Sequence, residues 1–215
     1  CCDSTNIWRK DVYPYYKAHR KKARQDSDLD WSQLFDSLNK IRDELKEFFP
    51  YKHITVDKAE ADDIIGVICH EHGAILGDGA EKILIMSGDK DFAQLVERNI
   101  SLINTMDGSF LDEDGVKDKF GVRPDQIVDY LTLVGDAVDN IPGVPKVGPK
   151  TAVKWIQTYD GLDAIAFNAH AIKGKVGDNL RDFLGQLPLS RKLVTIIRDI
   201  EVGVETKDLV HAPVD

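Results

Sequence analysis

The sequence has little cysteine, no long apolar run and no excess of positive charge. Its three cysteines include the adjacent Cys1 and Cys2, which argues against a disulfide framework. No window approaches the roughly 18 consecutive apolar residues of a membrane span. No basic and then apolar signal peptide opens the chain. With 42% hydrophobic and 30% charged residues, this composition predicts a soluble globular protein of a reducing compartment.

Positive charge is scarce overall but concentrated locally. The 37 acids outnumber the 28 bases and give a net charge of −9, which is unusual for a simple nucleic-acid binder. However, residues 9–24 hold seven Lys or Arg and one acid, and residues 141–157 hold three lysines and no acid. Separate basic and acidic zones allow one chain to bind a polyanion and a divalent metal.

Helix and strand patterns alternate up to about residue 110. Apolar residues at helical spacing predict a helix between residues 31 and 49, and a second helix is predicted over 60–70. This alternation implies a mainly parallel sheet covered by helices. Such sheets bind ligands beyond the carboxyl ends of their strands. Strands are predicted at 53–57, 82–87 and 100–104.

Beyond residue 110 the pattern becomes helical. We therefore predict two domains: an α/β domain over 1–110 and a helical region over 111–215. The helices of the second domain are predicted at 112–120, 124–134, 149–158 and 190–197, and a shorter helix at 91–96 belongs to the first domain; the one further strand is predicted at 201–204.

Acidic residues cluster at the ends of predicted elements. One cluster, residues 60–63, follows a strand, a second, residues 88–91, follows the strongest strand, and a third lies at 135–140. Helix capping and the helix dipole explain one or two of these acids. The remaining carboxylates favour a hard-metal site, because Mg²⁺ and Mn²⁺ prefer oxygen ligands. Two such ions activate water and stabilise the leaving oxygen in phosphodiester cleavage.

A hairpin rich in proline and glycine lies at 140–152. Gly143 and Gly148 allow a tight turn and close backbone approach, and Pro149 begins the next helix. Backbone amides at a helix start, with Lys146 and Lys150, form an anion site. We interpret this stretch as a helix-hairpin-helix that grips one strand of a duplex without reading bases. An ordinary helix–helix connection needs neither the two spaced glycines nor the lysines.

A basic and aromatic segment precedes the first long helix. Pro14 predicts a helix start, and Tyr16 and Arg20 then stand one helical turn apart, with Lys17 beside them. Arg and Lys can clamp a phosphate, and Tyr can stack on an unpaired base. A solvated basic helix is the alternative interpretation. Lys90, between two acids, is interpreted as a solvent-facing charge that screens its neighbours.

In combination these motifs resemble the 5′-nuclease superfamily. Its members include flap endonucleases, the 5′-3′ exonuclease domain of bacterial DNA polymerase I and phage ribonuclease H. The stretches 87–96, 102–106 and 135–152 are similar to the polymerase I domain, whereas 8–11, 16–17 and 28–31 are more similar to a T-even-type phage ribonuclease H. The resemblance covers nearly the whole chain and implies an α/β fold with a PIN-like (Rossmann-like) sheet, followed by the helix-hairpin-helix region.

The resemblance also assigns expected roles to single residues. It places Lys17 and Arg20, as catalytic residues, and the aromatic Tyr16 in a helical arch over about residues 9–30. It implies a monovalent cation, often K⁺, at the hairpin. The expected metal ligands are Asp3, Glu60, Asp62 and Asp89 for one group and Asp91, Asp136 and Asp139 for the second, with Asp89 between the groups and Asp63 as a supporting acid. The expected DNA-binding residues are Tyr16, Gly143, Val144, Lys146, Val147, Gly148, Lys150 and Thr151.

The function implied is that of a structure-specific 5′-3′ exonuclease and flap endonuclease using two Mg²⁺ or Mn²⁺ ions. Its substrates would be flaps, nicked or gapped DNA and RNA/DNA hybrids, in primer removal, replication and repair. We expect a monomer in the bacterial or phage-host cytoplasm, with a polymerase or a single-strand-binding protein as partner. Two alternatives remain: a non-catalytic duplex-binding module that uses the hairpin alone, and a PIN-like ribonuclease, which would not need residues 141–154.

The chain begins with cysteine rather than methionine. The family begins with a strand that carries a further metal-binding Asp, followed by a helix and another strand, and this sequence starts at the end of that later strand. We therefore expect an upstream segment to be missing and the present chain alone to cut poorly or not at all.

Overall fold

The computed structural model describes residues 1–49, 51–76, 82–204 and 209, apart from the side chains of residues 21–22 and 72–76. The chain divides into two compact units, each considered by itself. The first comprises Cys1–His72 and Ile197–Asp215, and the second comprises Gly73–Ile196. Within the described ranges, no helix combines the length and the apolar character that crossing a membrane requires.

Helices dominate the first unit. The predicted helix at 31–49 is present as α3, where the Asp30 side chain accepts a hydrogen bond from Gln33 N at 3.0 Å and so caps the N-terminus. Pro14 does not begin a helix, because it lies in the turn between two short helices. The helices are α1 (Trp8–Val12), α2 (Ala18–Gln25), α3 (Trp31–Phe48) and α4 (Ala61–Leu76).

The apolar core of this unit lies around the start of α4. Ile54, Ala59 and Ile64 are buried there, and Ile200 and Val202 from the C-terminal segment pack against them. The predicted strands at 53–57 and 201–204 are absent, although all of these residues are described. The apolar pattern of these segments therefore reflects burial in irregular structure and not a sheet.

The apolar stripe of α3 is not part of that core. No residue of α3, which is described throughout, is buried, and Leu38 is 51% exposed. Helical periodicity thus predicted the element correctly without predicting what covers its apolar face.

A three-stranded mixed sheet opens the second unit. Strands β1 (Ile83–Met86) and β2 (Ile100–Ile103) are parallel, with Ile85 opposite Leu102. The short β3 (Phe110–Leu111) pairs antiparallel with β2 and was not predicted. The strands run in the order β1-β2-β3, and the helix predicted at 91–96 after β1 is present as a 3-10 helix (Lys90–Leu95).

Helices make up the rest of this unit. Pro124–Gln126 forms a 3-10 turn before the next helix, so the predicted helix at 124–134 has two parts. The helix Ile127–Val134 packs against the helices Pro149–Tyr159 and Leu187–Val194, and its Leu131 and Leu133 are buried. The predicted helix at 190–197 begins and ends three residues earlier, and the helices Leu162–Phe167 and Lys175–Phe183 were not predicted. The helices are α5 (Glu113–Phe120), α6 (Ile127–Val134), α7 (Pro149–Tyr159), α8 (Leu162–Phe167), α9 (Lys175–Phe183) and α10 (Leu187–Val194).

Candidate functional site

Two expected ligands of the first unit, Glu60 and Asp63, are fully buried and bound to Arg9. One guanidinium nitrogen of Arg9 lies 2.7 Å from Glu60 Oε2 and 2.8 Å from Asp63 Oδ2, and the other lies 2.9 Å from Asp63 Oδ1. Burial lowers the pKa of Arg9, but the hydrogen bonds and charges of the two acids outweigh it, and the pKa is raised overall. Arg9 therefore neutralises one of the two negative charges within the protein.

Lys17 and Tyr16 also contact Glu60. Lys17 Nζ lies 2.6 Å from Glu60 Oε1, and the Tyr16 hydroxyl donates to the Glu60 carboxylate at 3.3 Å. Tyr16 is 3% exposed, so its ring is not available to stack on a base in this structure. Lys17 has a φ of +54°, a left-handed conformation that is unusual for a residue with a side chain.

The other expected residues of this unit lie at the same helix start or on α2. Asp3 Oδ1 accepts a hydrogen bond from Ala61 N at 2.8 Å, which ties the N-terminal segment to α4. Asp62 and Arg20 are half-buried. All four carboxylate oxygens of Glu60 and Asp63 accept hydrogen bonds, so a metal ion would have to displace Lys17 to reach Glu60 Oε1.

The second unit brings Asp89, Asp91, Asp136 and Asp139 into electrostatic contact. Asp89 Oδ1 accepts a hydrogen bond from Asp91 N at 2.9 Å and caps the 3-10 helix after β1. Asp136 is 5% exposed, and its Oδ1 accepts hydrogen bonds from Val138 N at 2.7 Å and Asp139 N at 3.3 Å. These acids therefore lie on two turns that are closed by hydrogen bonds within the chain.

Asp91 is the least satisfied acid of this group. Burial, followed by the charge of Asp89, raises its pKa to about 7; Lys90 lowers it, and Asp136 and Asp139 raise it further. Among the described residues, Asp91 Oδ1 is buried without a hydrogen-bond partner and lies 3.8 Å from Lys90 Nζ. A buried carboxylate oxygen that lies among other negative charges is a metal ligand that a divalent cation would stabilise.

Lys90 is exposed, as expected of a solvent-facing charge, and it also forms an ion pair with one acid of the group. Its ammonium group binds the Asp136 carboxylate directly. Burial lowers the pKa of Lys90, but the contact with Asp136 and the nearby acids raise it overall. In the described ranges, no three acidic, His or Cys side chains already form a metal cage. The donor types and the unsatisfied Asp91 oxygen nevertheless fit a hard cation.

The hairpin begins beside this acid group. Backbone hydrogen bonds join Asp136 and Ile141 in both directions, at 2.9 Å and 2.7 Å. Gly143 packs on the end of α6 so closely that a Cβ would lie 2.3 Å from the Val134 carbonyl. Gly148, in contrast, has no described atom within 4 Å of such a Cβ. Close packing therefore requires the first glycine and not the second.

The expected DNA-binding residues of the hairpin divide into inward and outward groups. Val144 and Val147 are buried, at 2% and 5% exposed, so their side chains support the hairpin from within. Lys146 and Lys150 are exposed, and Thr151 is half-buried on the first turn of α7. The exposed side chains of the hairpin thus include both lysines and two prolines, Pro145 and Pro149.

Arg9 and Trp8 were not expected to be site residues. Trp8 Nε1 donates to Asp63 Oδ2 at 2.9 Å, beside the Arg9 contacts. The available signal was the motif at 8–11 shared with phage ribonuclease H. Composition offered none, because Arg9 is one of seven bases in a run and nothing local marks it as buried.

Comparison with known families covers the whole chain. Residues 1–121 match the N-terminal resolvase-like domain of 5′-3′ exonucleases, and residues 122–215 match their C-terminal SAM fold. DNA polymerase I of Pseudomonas aeruginosa is 37% identical over 94% of this chain, which spans 22% of that protein. A 5′-3′ exonuclease of Buchnera aphidicola is 33% identical over 96% of this chain and 71% of its own length.

A solved structure shows the same fold. The flap endonuclease of bacteriophage T5, in complex with DNA and metal ions, superposes with a TM-score of 0.79 at 22% identity, over 89% of this chain and 71% of that one. The predicted α/β fold followed by a helical region is thereby confirmed. With both family domains matched end to end, the chain belongs to the 5′-3′ exonuclease family.

Proposed function

We propose that this chain forms the nuclease part of a structure-specific 5′-3′ exonuclease and flap endonuclease. It would hydrolyse phosphodiesters near the junction of a duplex and a 5′ single strand. One observation carries the proposal: Asp136 belongs to the acid group and is joined by two backbone hydrogen bonds to Ile141, where the hairpin begins. The turn that carries Asp136 and Asp139 therefore leads directly into the hairpin that carries Lys146.

The acid groups account for the metal requirement. Asp89, Asp91, Asp136 and Asp139 would hold one divalent cation, and Asp3, Glu60 and Asp62 would contribute to a second, with Asp63 as support. Mg²⁺ or Mn²⁺ at such sites activates water and stabilises the leaving oxygen. In the structure Lys90 neutralises Asp136, so a metal ion that binds Asp136 must compete with this ion pair.

Lys17 and Arg20 would supply positive charge to the scissile phosphate. Lys17 is held by Glu60 at 2.6 Å, so it must leave that carboxylate to reach a phosphate. Metal binding at Glu60 and phosphate binding by Lys17 therefore favour each other. Tyr16 would orient Glu60 through its hydroxyl in this conformation.

The hairpin accounts for binding without base specificity. Lys146 and Lys150 are exposed, and a phosphate backbone is the polyanion that their ammonium groups suit. We propose flap, nicked or gapped DNA and RNA/DNA hybrids as substrates and K⁺ as the hairpin cation.

The setting would be cytoplasmic primer removal and repair. The protein would act as a monomer, with a polymerase or a single-strand-binding protein as partner. The α/β nuclease domain of this chain would comprise residues 1–110, and the helical DNA-binding region residues 111–215.

Metal binding is tested first by thermal unfolding. Millimolar Mn²⁺ should raise the Tm of the wild-type chain, because a ligand bound only by the folded state stabilises it. Asp91→Asn should reduce the shift. Asp107→Asn, in an exposed turn, is the matched control and should keep it. No shift in the wild type would refute the metal site and leave the non-catalytic module as the better interpretation.

Cleavage tests the reaction itself. In a protein that carries the expected upstream segment, Mg²⁺-dependent, single-turnover cleavage of a labelled 5′-flap duplex should be lost in Asp91→Asn and kept in Asp107→Asn. Flap binding with Ca²⁺ in place of Mg²⁺ should survive both changes. Normal cleavage by Asp91→Asn would contradict the proposal, and cleavage of single-stranded RNA without flap cleavage would favour the ribonuclease alternative.

A further inference from the structure

The tip of the hairpin is a turn with an unusual residue at its third position. Val147 N donates to Val144 O at 3.0 Å, which closes a four-residue turn with Pro145 second and Lys146 third. The proline ring keeps φ negative at the second position, and Lys146 has a φ of +65°. These values define a type II turn, whose third position normally holds glycine or asparagine. Lys146 occupies it at a steric cost.

One peptide group decides whether such a turn is type II or type I. The peptide between Pro145 and Lys146 rotates by about 150° between the two types. Its oxygen, Pro145 O, accepts a hydrogen bond from Asn179 Nδ2 at 2.6 Å. Asn179 lies on α9 and is 8% exposed. This hydrogen bond therefore holds the Pro145–Lys146 peptide in the type II orientation, although the positive φ that this orientation requires is sterically unfavourable for a lysine.

The rest of the hairpin is anchored independently. Ser190, fully buried on α10, donates its hydroxyl to Pro142 O at 2.7 Å. Gly143 packs against the end of α6. Loss of the Asn179 contact would therefore change the tip and leave the base of the hairpin in place.

We propose that Asn179 is a positioning residue for binding of the nucleic-acid backbone. The Pro145–Lys146 peptide is trans, so its N–H points away from the carbonyl that Asn179 holds. The Lys146 amide and the exposed Lys146 side chain are thereby directed outward to one phosphate. The identity of that ligand rests on the proposed function, whereas the stabilisation of the turn by Asn179 does not.

The test replaces the side-chain amide and follows the turn and DNA binding separately. In Asn179→Leu, a nicked duplex should bind about fivefold more weakly, the effect of one lost hydrogen bond. The slope of log K against log salt should fall by about one, because one phosphate contact is lost. Asn168→Leu is the matched control, since Asn168 also donates its amide to a carbonyl, Ala164 O at 2.9 Å, but not in the hairpin. It should bind DNA like the wild type.

A double-mutant cycle with Lys146→Ala separates positioning from a merely structural role. If Asn179 acts through Lys146, the two losses of affinity should not add. NMR supplies the direct readout: a strong contact between Pro145 Hα and the Lys146 amide proton marks the type II turn and should weaken in Asn179→Leu. Asn179→Asp, which keeps the shape and removes the donor, serves if the leucine variant does not fold.

Additive losses, or an unchanged NMR contact, would overturn the proposal. If the wild-type chain shows no salt-dependent duplex binding, the proposed hairpin function fails. The NMR contact would still decide whether Asn179 holds the turn.

Discussion

Replacing Arg9 by methionine tests the buried ion cluster of the first unit. The change removes three hydrogen bonds to carboxylates, at 2.7, 2.8 and 2.9 Å, and keeps most of the side-chain volume. Glu60 and Asp63 are 1% and 0% exposed, so water cannot replace the lost guanidinium. The loss should therefore appear as a large fall in the free energy of unfolding.

The magnitude follows from what remains around each acid. Removing one partner of a buried ion pair costs about 3–5 kcal/mol. Lys17 still neutralises Glu60, while Trp8 and the Ile197 amide still donate to Asp63. We therefore expect the lower end, about 3 kcal/mol. With a urea m-value of about 2 kcal/mol/M, the midpoint should fall by about 1.5 M.

Urea unfolding of metal-free protein, followed by circular dichroism, provides the measurement. Arg9→Lys should recover part of the loss, because lysine restores the charge without the two-pronged geometry. Lys40→Met is the surface control: Lys40 is 4.0 Å from Glu44 and 78% exposed, so its removal should cost less than about 0.5 kcal/mol. The cluster would not have the role described if Arg9→Met cost less than about 1 kcal/mol, or if Arg9→Lys matched the wild type.

The remaining predictions concern pH, the hairpin and the exposed helix. The pKa of Asp91 is raised from 3.8 to about 7, so the folded state binds this proton more tightly than the unfolded state; stability from this group is highest in acid and falls as the pH rises from about 4 to 7. Asp91→Asn in EDTA should flatten this fall, and an equally steep profile would contradict it. Gly143→Ala should destabilise by more than about 3 kcal/mol and Gly148→Ala by much less, because only the first meets backbone at 2.3 Å; equal melting temperatures would refute this. Leu38→Ala, at an exposed site, should change stability by less than about 1 kcal/mol, whereas Leu131→Ala, in the core, should cost about 2–5 kcal/mol; a large loss at Leu38 would show that its face is covered.

Local patterns were sufficient to predict several elements of this protein. The spacing of apolar residues predicted α3, and the apolar run within 82–87 predicted β1, although Leu84 and Met86 of that strand are exposed. The hairpin was readable because Gly143 is needed for close backbone approach and Pro149 for a helix start. In each case the signal lies within one element, where periodicity or a single residue's conformational limits decide the outcome.

Tertiary structure alone decided which side chains meet. Arg9 lies in a run of bases, and its side chain is buried against Glu60 and Asp63, more than 50 residues away in sequence. Tyr16 points inward by the same packing, and the apolar face of α3 remains exposed although its pattern is that of a core helix.

Asn179 shows most clearly why such contacts could not be predicted from the sequence. It is an ordinary polar residue in a helix, and its partner Pro145 O lies 34 residues earlier in the chain. Hydrogen-bond partners of this kind depend on how helices pack, and no spacing within a single element encodes that packing. The sequence by itself therefore determined the elements and the types of chemistry, and the tertiary structure decided which groups neutralise, orient and hold one another.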